Sequence, residues 1–434
     1  MLYIQKAVKL SVILYIFVKK NGESVFKDRG YRFLTKRKTM KKDISNLGNQ
    51  LNEQLLSFYK HLHRYPELSF EEKETAAFVT RILTREGIPF QDHIGGYGIL
   101  ARIEGKNPTS RIIGLRADMD ALPIHEETGL SYQSCHEGVM HACGHDAHTA
   151  CLLGCALLLN RLRQKLTGTV LLIFQPAEER HPGGARLMLQ DGVFDTYRPE
   201  LIIGQHVNAE VPCGSLAMGE GCIMASADEF HLVIRGKGGH GAMPYKLNDT
   251  VLAAAQTVVS LQQLVSRRHN PFIPAVITVG KFMAEGATNI IPDHVNLSGT
   301  LRCMDEKERK RLQQLIRETV QLTAQSYGCQ CDIDMKDGYP SVVNDPTITQ
   351  KARIFAGELW GEEAILPIEK RMTAEDFGFF SATVPSTFYR LGIKSEATRQ
   401  FGDQHTATFG IDERALKIGM ETLSYLAVRF LEEP

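Results

Sequence analysis

The chain has 434 residues, of which 43% are hydrophobic and 23% are charged, as is usual for a soluble globular protein. Its 50 Lys and Arg residues equal its 50 Asp and Glu residues, which gives no reason to expect a nucleic-acid partner or binding to an anionic membrane. The length exceeds that of one ordinary hydrophobic core, so two or three domains are expected.

The N-terminal region contains a short apolar run at residues 8–18, followed by Lys19 and Lys20. A membrane-spanning helix needs about 20 apolar residues, so this run is too short. It also lacks the small-residue cleavage site of a signal peptide. A helical pattern starts at Met40, and we expect Met40 to be the biological start and residues 1–39 to be a non-structural extension.

Helices then alternate with apolar strands. Residues 47–64 predict an amphipathic helix, and Ser69 with Glu72 predicts a capping box for a helix that ends near Arg85. The pattern next predicts strands at 111–117, 169–174 and 201–204, and helices at 146–163 and 184–190. Near-continuous apolar strands separated by helices indicate a mostly parallel sheet covered on both faces.

A different order follows. Strands are predicted at 226–235, 275–283, 294–303 and 329–335, and helices at 248–266 and 305–327. This β-α-β-β-α-β order is ferredoxin-like. The alternation of helices and apolar strands then resumes, with helices at 346–360, 374–382 and 412–431 and a strand at 386–391. We therefore expect a discontinuous α/β catalytic domain, residues 40–224 and 337–434, with an inserted ferredoxin-like lid domain at 225–336.

Polar clusters follow three of the predicted strands. Asp118 and Asp120 follow the first strand, Glu178 and Glu179 the second, and His206 the third. A fourth cluster, residues 141–148 (HACGHDAH), precedes the long apolar helix. Ligands of open α/β sheets bind at the carboxyl ends of the strands, and Cys, His and Glu are ligands for zinc, manganese or cobalt.

Each cluster also has an ordinary explanation. A single His or a Glu-Glu pair is common on solvated surfaces, and Asp118 and Asp120 could be turn residues or helix caps. Cys143 could be a small buried hydrophobic residue. The coincidence of all these residue types at strand ends favours a metal site.

Six motifs together resemble those of a known family. They are RADMDALP (116–123), MHACGHDAH (140–148), QPAEE (175–179), GHGAMP (239–244), NIIPD (289–293) and EDF (375–377). The set is similar to the M20 family of metallopeptidases, and within it to the amidohydrolase branch, which includes hippurate hydrolases, N-acyl-amino-acid deacylases and indole-acetyl-amino-acid hydrolases. The similarity runs from about His61 to the C-terminus.

The resemblance implies two divalent metal ions, manganese or zinc, with cobalt or nickel as alternatives. The residues that match metal ligands, with Cys143 bridging the two ions, are Cys143, His145, Glu179, His206 and His405. Glu178 matches the catalytic base that takes a proton from a metal-activated water. Asp118 matches a carboxylate that orients a ligand.

In the lid domain, His240 matches a residue that stabilises the oxyanion of the reaction intermediate, often in the active site of a partner subunit. Asn289 and Arg302 are candidates for contacts with the carbonyl or carboxylate of the substrate, because the Arg fork binds carboxylates bidentately. The resemblance therefore implies a homodimer formed through the lid domain.

Some residues depart from the family pattern: Tyr245, Thr250, Gln404 and the bulky residues Arg180 and His181. None removes a ligand or the base, so they concern substrate preference. Among the remaining candidates, Cys151 and Cys155 are expected in the core, and His141 and His148 beside the metal ligands. The other histidines interpreted as structural are His93, His125, His136, His231, His269 and His294.

The sequence thus predicts a metal-dependent amidohydrolase that cleaves N-acyl-amino acids. A dipeptidase or carboxypeptidase of the same fold, and a non-catalytic protein that binds metal or a small molecule, are the alternatives. Nine cysteines in so long a chain are not a disulfide framework. They fit buried thiols in a reducing compartment, so we expect a cytoplasmic location.

Overall fold

The structure is a computed structural model that describes the backbone of residues 25–433 and the side chains of residues 37–433. The chain divides into two compact units, Met1–Gln50 and Leu51–Pro434. None of the helices within the described residues is both long and apolar enough to cross a membrane.

The N-terminal helix is longer than the sequence predicts. Helix α1 spans Val25–Arg64, so residues 25–39 are helical and not a loose tail, while residues 1–24 lie outside the described residues. Proline is absent from 25–64, so nothing in the backbone chemistry stops the helix at Met40. Whether Met40 is the biological start stays a prediction.

The remaining helices lie close to their predicted positions. In chain order they are α2 (Lys73–Arg85), α3 (His145–Leu162), α4 (Gly184–Gln190), α5 (Thr250–Gln263), α6 (Glu306–Ser326), α7 (Pro346–Trp360), α8 (Phe377–Thr383) and α9 (Arg414–Glu432). One prediction was wrong. Ser69 does not cap α2, because Glu72 stands at the cap position without a side-chain cap bond, and the Ser69 hydroxyl donates to Asp120 instead.

The strands include several short ones that the sequence pattern does not reveal. In chain order they are β1 (Phe90–Ile94), β2 (Gly98–Glu104), β3 (Ile112–Asp118), β4 (Thr169–Gln175), β5 (Leu201–Pro212), β6 (Leu216–Met218), β7 (Gly221–Met224), β8 (Ala227–Arg235), β9 (Gly239–His240), β10 (Ala275–Met283), β11 (Ile290–Ile291), β12 (His294–Cys303), β13 (Gln330–Tyr339), β14 (Val342–Asn344), β15 (Ile365–Pro367) and β16 (Ser386–Lys394).

The large sheet has eight strands in the order β1-β2-β4-β3-β5-β16-β6-β15. Its centre, β4-β3-β5-β16, is parallel throughout. Every residue of β4 is buried, as expected for a parallel strand covered on both faces. One face packs with α4 and α8 in a single hydrophobic cluster, whereas α3 and α9 contact each other and other parts of the sheet. The α/β prediction is confirmed.

A second sheet has four antiparallel strands in the order β10-β12-β8-β13. Helices α5 and α6 pack with it around their own hydrophobic cluster, which includes Phe230, Leu297 and Ile316. This is the ferredoxin-like arrangement predicted for residues 225–336. Residues 51–434 nevertheless form one compact unit, so the domain boundaries at 225 and 336 stay predictions.

Candidate metal centre and active site

Polar side chains lie at one level across the four central parallel strands. Asp118 at the end of β3 pairs with Gln175 at the end of β4. The parallel register of β3 and β5 brings His206 to the same level, and His206 pairs with Arg390 of β16. The strands therefore present a row of polar residues at the carboxyl edge of the sheet, where ligands of α/β proteins bind.

A glycine places the next two candidates beside this row. Gly144, between Cys143 and His145, has a φ of +87°, and a Cβ there would lie 2.4 Å from Val207 Cγ2. Only glycine satisfies both conditions without strain. The turn at Gly144 starts α3 at His145, so Cys143 and His145 flank the N-terminus of a buried helix.

The five predicted metal ligands form two groups that share Cys143. The ligand atoms of Cys143, His145 and His206 lie within 4.8 Å of one another, and so do those of Cys143, Glu179 and His405. Cys143 Sγ is 3.4 Å from His206 Nε2, and His405 Nε2 is 3.2 Å from Glu179 Oε1. Cys143 is thus the side chain that the two groups have in common.

The donor atoms fit divalent cations. Within residues 37–433, the buried atom His145 Nε2 has no hydrogen-bond partner, and buried Glu179 Oε1 has only its 3.2 Å contact with His405 Nε2. His145 Nδ1 is 3.1 Å from Asp120 Oδ1, and His206 Nδ1 donates to the Val207 carbonyl at 2.8 Å. Both imidazoles therefore direct Nε2 toward the site, as metal-binding histidines do. Buried polar atoms without partners are costly, and a cation bound by sulfur, nitrogen and carboxylate would satisfy them.

Asp120, more than Asp118, organises these ligands. Besides its contact with His145, Asp120 accepts hydrogen bonds from the Ser69 hydroxyl at 2.6 Å and the Glu179 backbone N–H at 2.9 Å. It thereby connects two predicted ligands with the segment that precedes α2. The sequence places Asp118 and Asp120 in one motif, and spacing alone could not show which carboxylate reaches His145.

Asp118 belongs to a different set of buried hydrogen bonds. It accepts hydrogen bonds from Arg116 at 2.7 Å and from His148 Nδ1 at 2.6 Å, and its Oδ2 is 3.7 Å from His145 Nε2. His148 Nε2 in turn accepts the Val207 backbone N–H at 2.8 Å. Asp118 and His148 thus connect β3, α3 and β5. His141 is buried beside them, but neither ring nitrogen has a hydrogen-bond partner in the described part of the chain.

Glu178 lies next to the ligands, on a constrained stretch of backbone. The preceding residue, Ala177, has a positive φ of 50°, and its N–H donates to buried Glu72 at 2.7 Å. The Tyr339 hydroxyl donates to the Glu178 carbonyl at 2.8 Å. Burial, followed by the negative charges of Glu375 and Glu179, raises the pKa of the Glu178 carboxyl well above its usual range. Its surroundings therefore disfavour the charged form of this carboxyl.

A buried cation balances the carboxylates beneath Glu178. Arg116 is 0% exposed and donates to Gln175, Asp118, Glu375 and Asp376 at 2.7–3.0 Å. These bonds connect β3, β4 and the start of α8. Since an unpaired buried charge would be costly, the network fixes the floor of the site through mutual neutralisation.

A cavity of about 780 Å³ opens above the row. Its walls come from the sheet edge and from the four-stranded region, and Cys143, Glu178, Arg302 and Arg390 are among the residues that line it. His231, which the sequence analysis treated as structural, also lines the cavity. The residue is exposed, with Nδ1 at 3.0 Å from the Ser298 hydroxyl.

One predicted catalytic residue and one predicted substrate contact lie elsewhere. His240 and Asn289 are both exposed, and β9 pairs with β11 so that Gly241 N–H donates to the Asn289 carbonyl at 2.8 Å. Neither residue is among those that line the cavity. The structure therefore brings together the five ligand candidates, Glu178 and Arg302, and leaves His240 and Asn289 on a separate surface.

Several residues of the site carry no motif signal. Ser69 was interpreted as a helix cap, and Arg390 lies inside an apolar strand pattern. The one sequence signal for Arg390 was a charged residue within an apolar run that predicts a strand. His181, interpreted as a departure from the family pattern, lines the cavity.

A sheet edge with this donor set, beside a ferredoxin-like region, defines a metal-binding hydrolase. Residues 114–429 match Peptidase family M20/M25/M40, and the chain belongs to this family. It is accordingly a hydrolase that acts on amide bonds.

Individual relatives support the family membership. The chain is 37% identical over 377 residues to N-acetyl-L-cysteine deacetylase of Bacillus subtilis, which covers 86% of this chain and 88% of the relative. It is 34% identical over 390 residues to thermostable carboxypeptidase 1 of Saccharolobus solfataricus, covering 89% and 98%. Among solved structures, a dinuclear metal-binding M20 peptidase, the YXEP protein of Bacillus subtilis, has a TM-score of 0.77 at 34% identity, covering 88% and 99%.

Proposed function

We propose that the protein hydrolyses the amide bond of N-acyl-amino acids or related amide conjugates, with Glu178 as general base. The proposed ligands of two divalent cations are Cys143, His145, Glu179, His206 and His405. The observation that carries this proposal is the pair of ligand groups that share Cys143 beside Glu178. Sulfur favours zinc, while manganese, cobalt or nickel could also serve.

The chemistry follows from what this cluster can do. Bound divalent cations would polarise the amide carbonyl and lower the pKa of water toward neutrality. Glu178 accepts a proton from the attacking water, whose oxygen bonds to the carbonyl carbon. The C–N bond then breaks, and Glu178 delivers the proton to the leaving nitrogen. The second proton of the water also ends on the nitrogen, so the products are a carboxylate and an ammonium ion.

The adjacent pair Glu178–Glu179 divides the two tasks. Glu179 Oε1 is 3.2 Å from His405 Nε2, within one ligand group. Glu178 is 6% exposed at the cavity wall, where it can reach a water. Its carboxylate also lies within 4.8 Å of the ligand atoms of His145 and Glu179, and we assign it to proton transfer and not to metal binding.

Arg302 of β12 lines the cavity and is the proposed partner of the substrate α-carboxylate. A guanidinium binds a carboxylate with two parallel hydrogen bonds, so it fixes orientation as well as charge. His240 is proposed to stabilise the oxyanion and Asn289 to contact the substrate. Because both lie away from the cavity of their own chain, these contacts require a second subunit.

The four-stranded region offers a surface for such a subunit. Strand β10 is at the edge of its sheet, and apolar side chains on it and on α5 are exposed: Val276, Phe282, Met283, Leu252 and Val259. An exposed apolar edge strand pairs readily with another chain. We propose a homodimer through this edge, with His240 completing the site of the partner subunit.

The compartment is proposed from the cysteines. All nine are free, and Cys143 must be a thiolate to bind metal. A reducing compartment, the cytoplasm, preserves such a thiolate.

The proposal is tested by measuring hydrolysis of N-acetyl- and N-benzoyl-amino acids and of dipeptides, after chelation and after reloading with manganese or zinc. We expect activity on the N-acyl-amino acids that chelation abolishes and metal restores. Faster cleavage of dipeptides would instead support the peptidase alternative. No hydrolysis with any metal would support a non-catalytic binding protein.

A further inference from the structure

Arg390 differs from the other buried arginines of the described residues. The other three are Arg116, Arg309 and Arg429. Arg116 and Arg309 bind carboxylates at 2.6–3.0 Å, and Arg429 pairs with Glu358. Arg390 is 5% exposed, yet no described carboxylate lies within ion-pair distance of it.

The contacts of Arg390 are weak for a buried charge. One terminal nitrogen lies 2.6 Å from the thioether sulfur of Met224, and the guanidinium carbon lies 5.2 Å from the centre of the Phe388 ring. A thioether is a poor acceptor. The nearby carboxylate of Glu375 is already bonded to Arg116 and to the Phe377 N–H. Burial also lowers the pKa of Arg390 to about 10, although the guanidinium stays charged at neutral pH.

The position of Arg390 places its unpaired charge at the cavity. Arg390 pairs with His206 across β16 and β5, so their side chains share one face of the sheet. It lines the same cavity as Cys143 and Glu178. Arg302 lines that cavity from β12, so two arginine side chains line the cavity from different walls. An uncompensated buried cation is costly unless a ligand supplies the counter-charge.

We infer that Arg390 is a specificity-determining residue that binds a second carboxylate of the substrate, in addition to the α-carboxylate assigned to Arg302. This inference rests on the proposed amidohydrolase function. The preferred substrates are then N-acyl-amino acids with an extra acidic group. That group belongs either to the amino-acid side chain or to the acyl chain, and both present the same carboxylate chemistry.

The test compares matched acidic and neutral substrates with manganese-loaded enzyme. N-acetylglutamate against N-acetylglutamine probes the side chain, and N-succinylmethionine against N-succinamoylmethionine probes the acyl chain. For one pair, the wild type is expected to prefer the acidic member in kcat/KM by roughly 10- to 100-fold, mainly through KM, the usual weight of a charged hydrogen bond.

Arg390→Met is expected to remove that preference while kcat/KM on the neutral member changes by no more than about threefold. Arg390→Lys, which keeps the charge without the fork, should retain part of the preference. The control is Lys336→Met, which removes a cation from the cavity rim that is exposed and pairs with Asp334 at 2.9 Å. It should leave the preference unchanged. Thermal unfolding and metal content verify that each variant is folded and loaded.

Equal turnover of acidic and neutral substrates by the wild type would overturn the inference and leave the proposed function standing. So would an equal loss by Arg390→Met on every substrate, because that indicates a general role in the fold or in α-carboxylate binding. If the loaded wild type cleaves no N-acyl-amino acid at all, the proposed function fails and this inference fails with it.

Discussion

The carboxyl edge of the large sheet and the surface formed by the two-stranded sheet β9–β11 hold their functional candidates in opposite ways. At the sheet edge, Asp118 and His145 are 0% exposed and fixed by hydrogen bonds. On the β9–β11 surface, His240 and Asn289 are exposed. The first region can assemble a metal centre within one chain, whereas the second needs another surface to act on. The predictions below test this contrast.

The largest effect is expected at the proposed base. Glu178→Gln removes the group that takes up the proton while leaving the ligands, so turnover should fall by a factor on the order of 10² or more with metal content unchanged. Steady-state kinetics and metal analysis of the same sample measure both. Glu137→Gln, an exposed matched change, should have no effect. Retained turnover in Glu178→Gln would remove Glu178 from the mechanism.

A slightly smaller loss is expected at the exposed surface. His240→Ala should lower kcat on the order of 10², the usual cost of one oxyanion donor. Co-expression of His240→Ala with Glu178→Gln should then restore part of the activity, because a mixed dimer has one complete site. If the mixed dimers stay as inactive as either variant alone, His240 does not act in the partner subunit.

The carboxylate that contacts His145 should set metal affinity. Asp120→Asn weakens the support of a ligand, so the affinity for metal should fall by about 10- to 100-fold. Titration of the metal-free protein with zinc or manganese measures this change. Asp334→Asn, at an exposed position, is the matched control. An unchanged affinity in Asp120→Asn would show that its hydrogen bond to His145 is not needed.

The smallest effect is expected at a buried ion cluster, where the quantity that changes is stability. His63 Nδ1 is 2.7 Å from Asp146, and its Nε2 is 3.1 Å from Glu126. Burial alone would lower the pKa of His63, but the two carboxylates outweigh burial and raise it to about 9. A raised folded-state pKa stabilises the fold below the unfolded value of about 6.5, and this contribution is lost as the pH rises through about 9.

The unfolding temperature of the wild type should therefore fall between pH 6.5 and pH 9 through this cluster, which contributes on the order of 3 kcal/mol. His63→Gln should be less stable at pH 6.5 and should show a flatter pH dependence over that range. Thermal denaturation of both proteins at several pH values gives the comparison. Parallel curves would show that His63 is not charged in the folded protein.

Sequence predicted the sheet edge better than the details around it. Apolar strands that are followed by Asp118 and by Glu178 and Glu179 predict a polar edge, since parallel strands bring their carboxyl ends together. The structure places the five ligand candidates there. Most predicted helix bounds lie close to the observed ones, because hydrophobic periodicity and capping residues are local signals. Residues 25–39 were predicted to be non-structural because their helical pattern is weak. They are helical nevertheless, since the segment contains no proline that would break the helix.

Tertiary contacts decide what the local pattern could not. Ser69 and Glu72 have the spacing of a capping box, yet their side chains bond to Asp120 and Ala177, which are distant in sequence. The roles of Asp118 and Asp120 depend on which oxygen meets His145. Arg390 is informative only once the absence of a carboxylate partner in the described residues is known.

The central claim is that the Cys143 thiolate binds two cations beside Glu178. A crystal structure of the metal-loaded protein with anomalous scattering data measures this most directly. We expect two anomalous peaks per chain, about 3.5–4 Å apart, both bonded to Cys143 Sγ, with Glu178 bound to neither. Peaks that lie away from Cys143, or no ion among these ligands in loaded protein, would contradict the account.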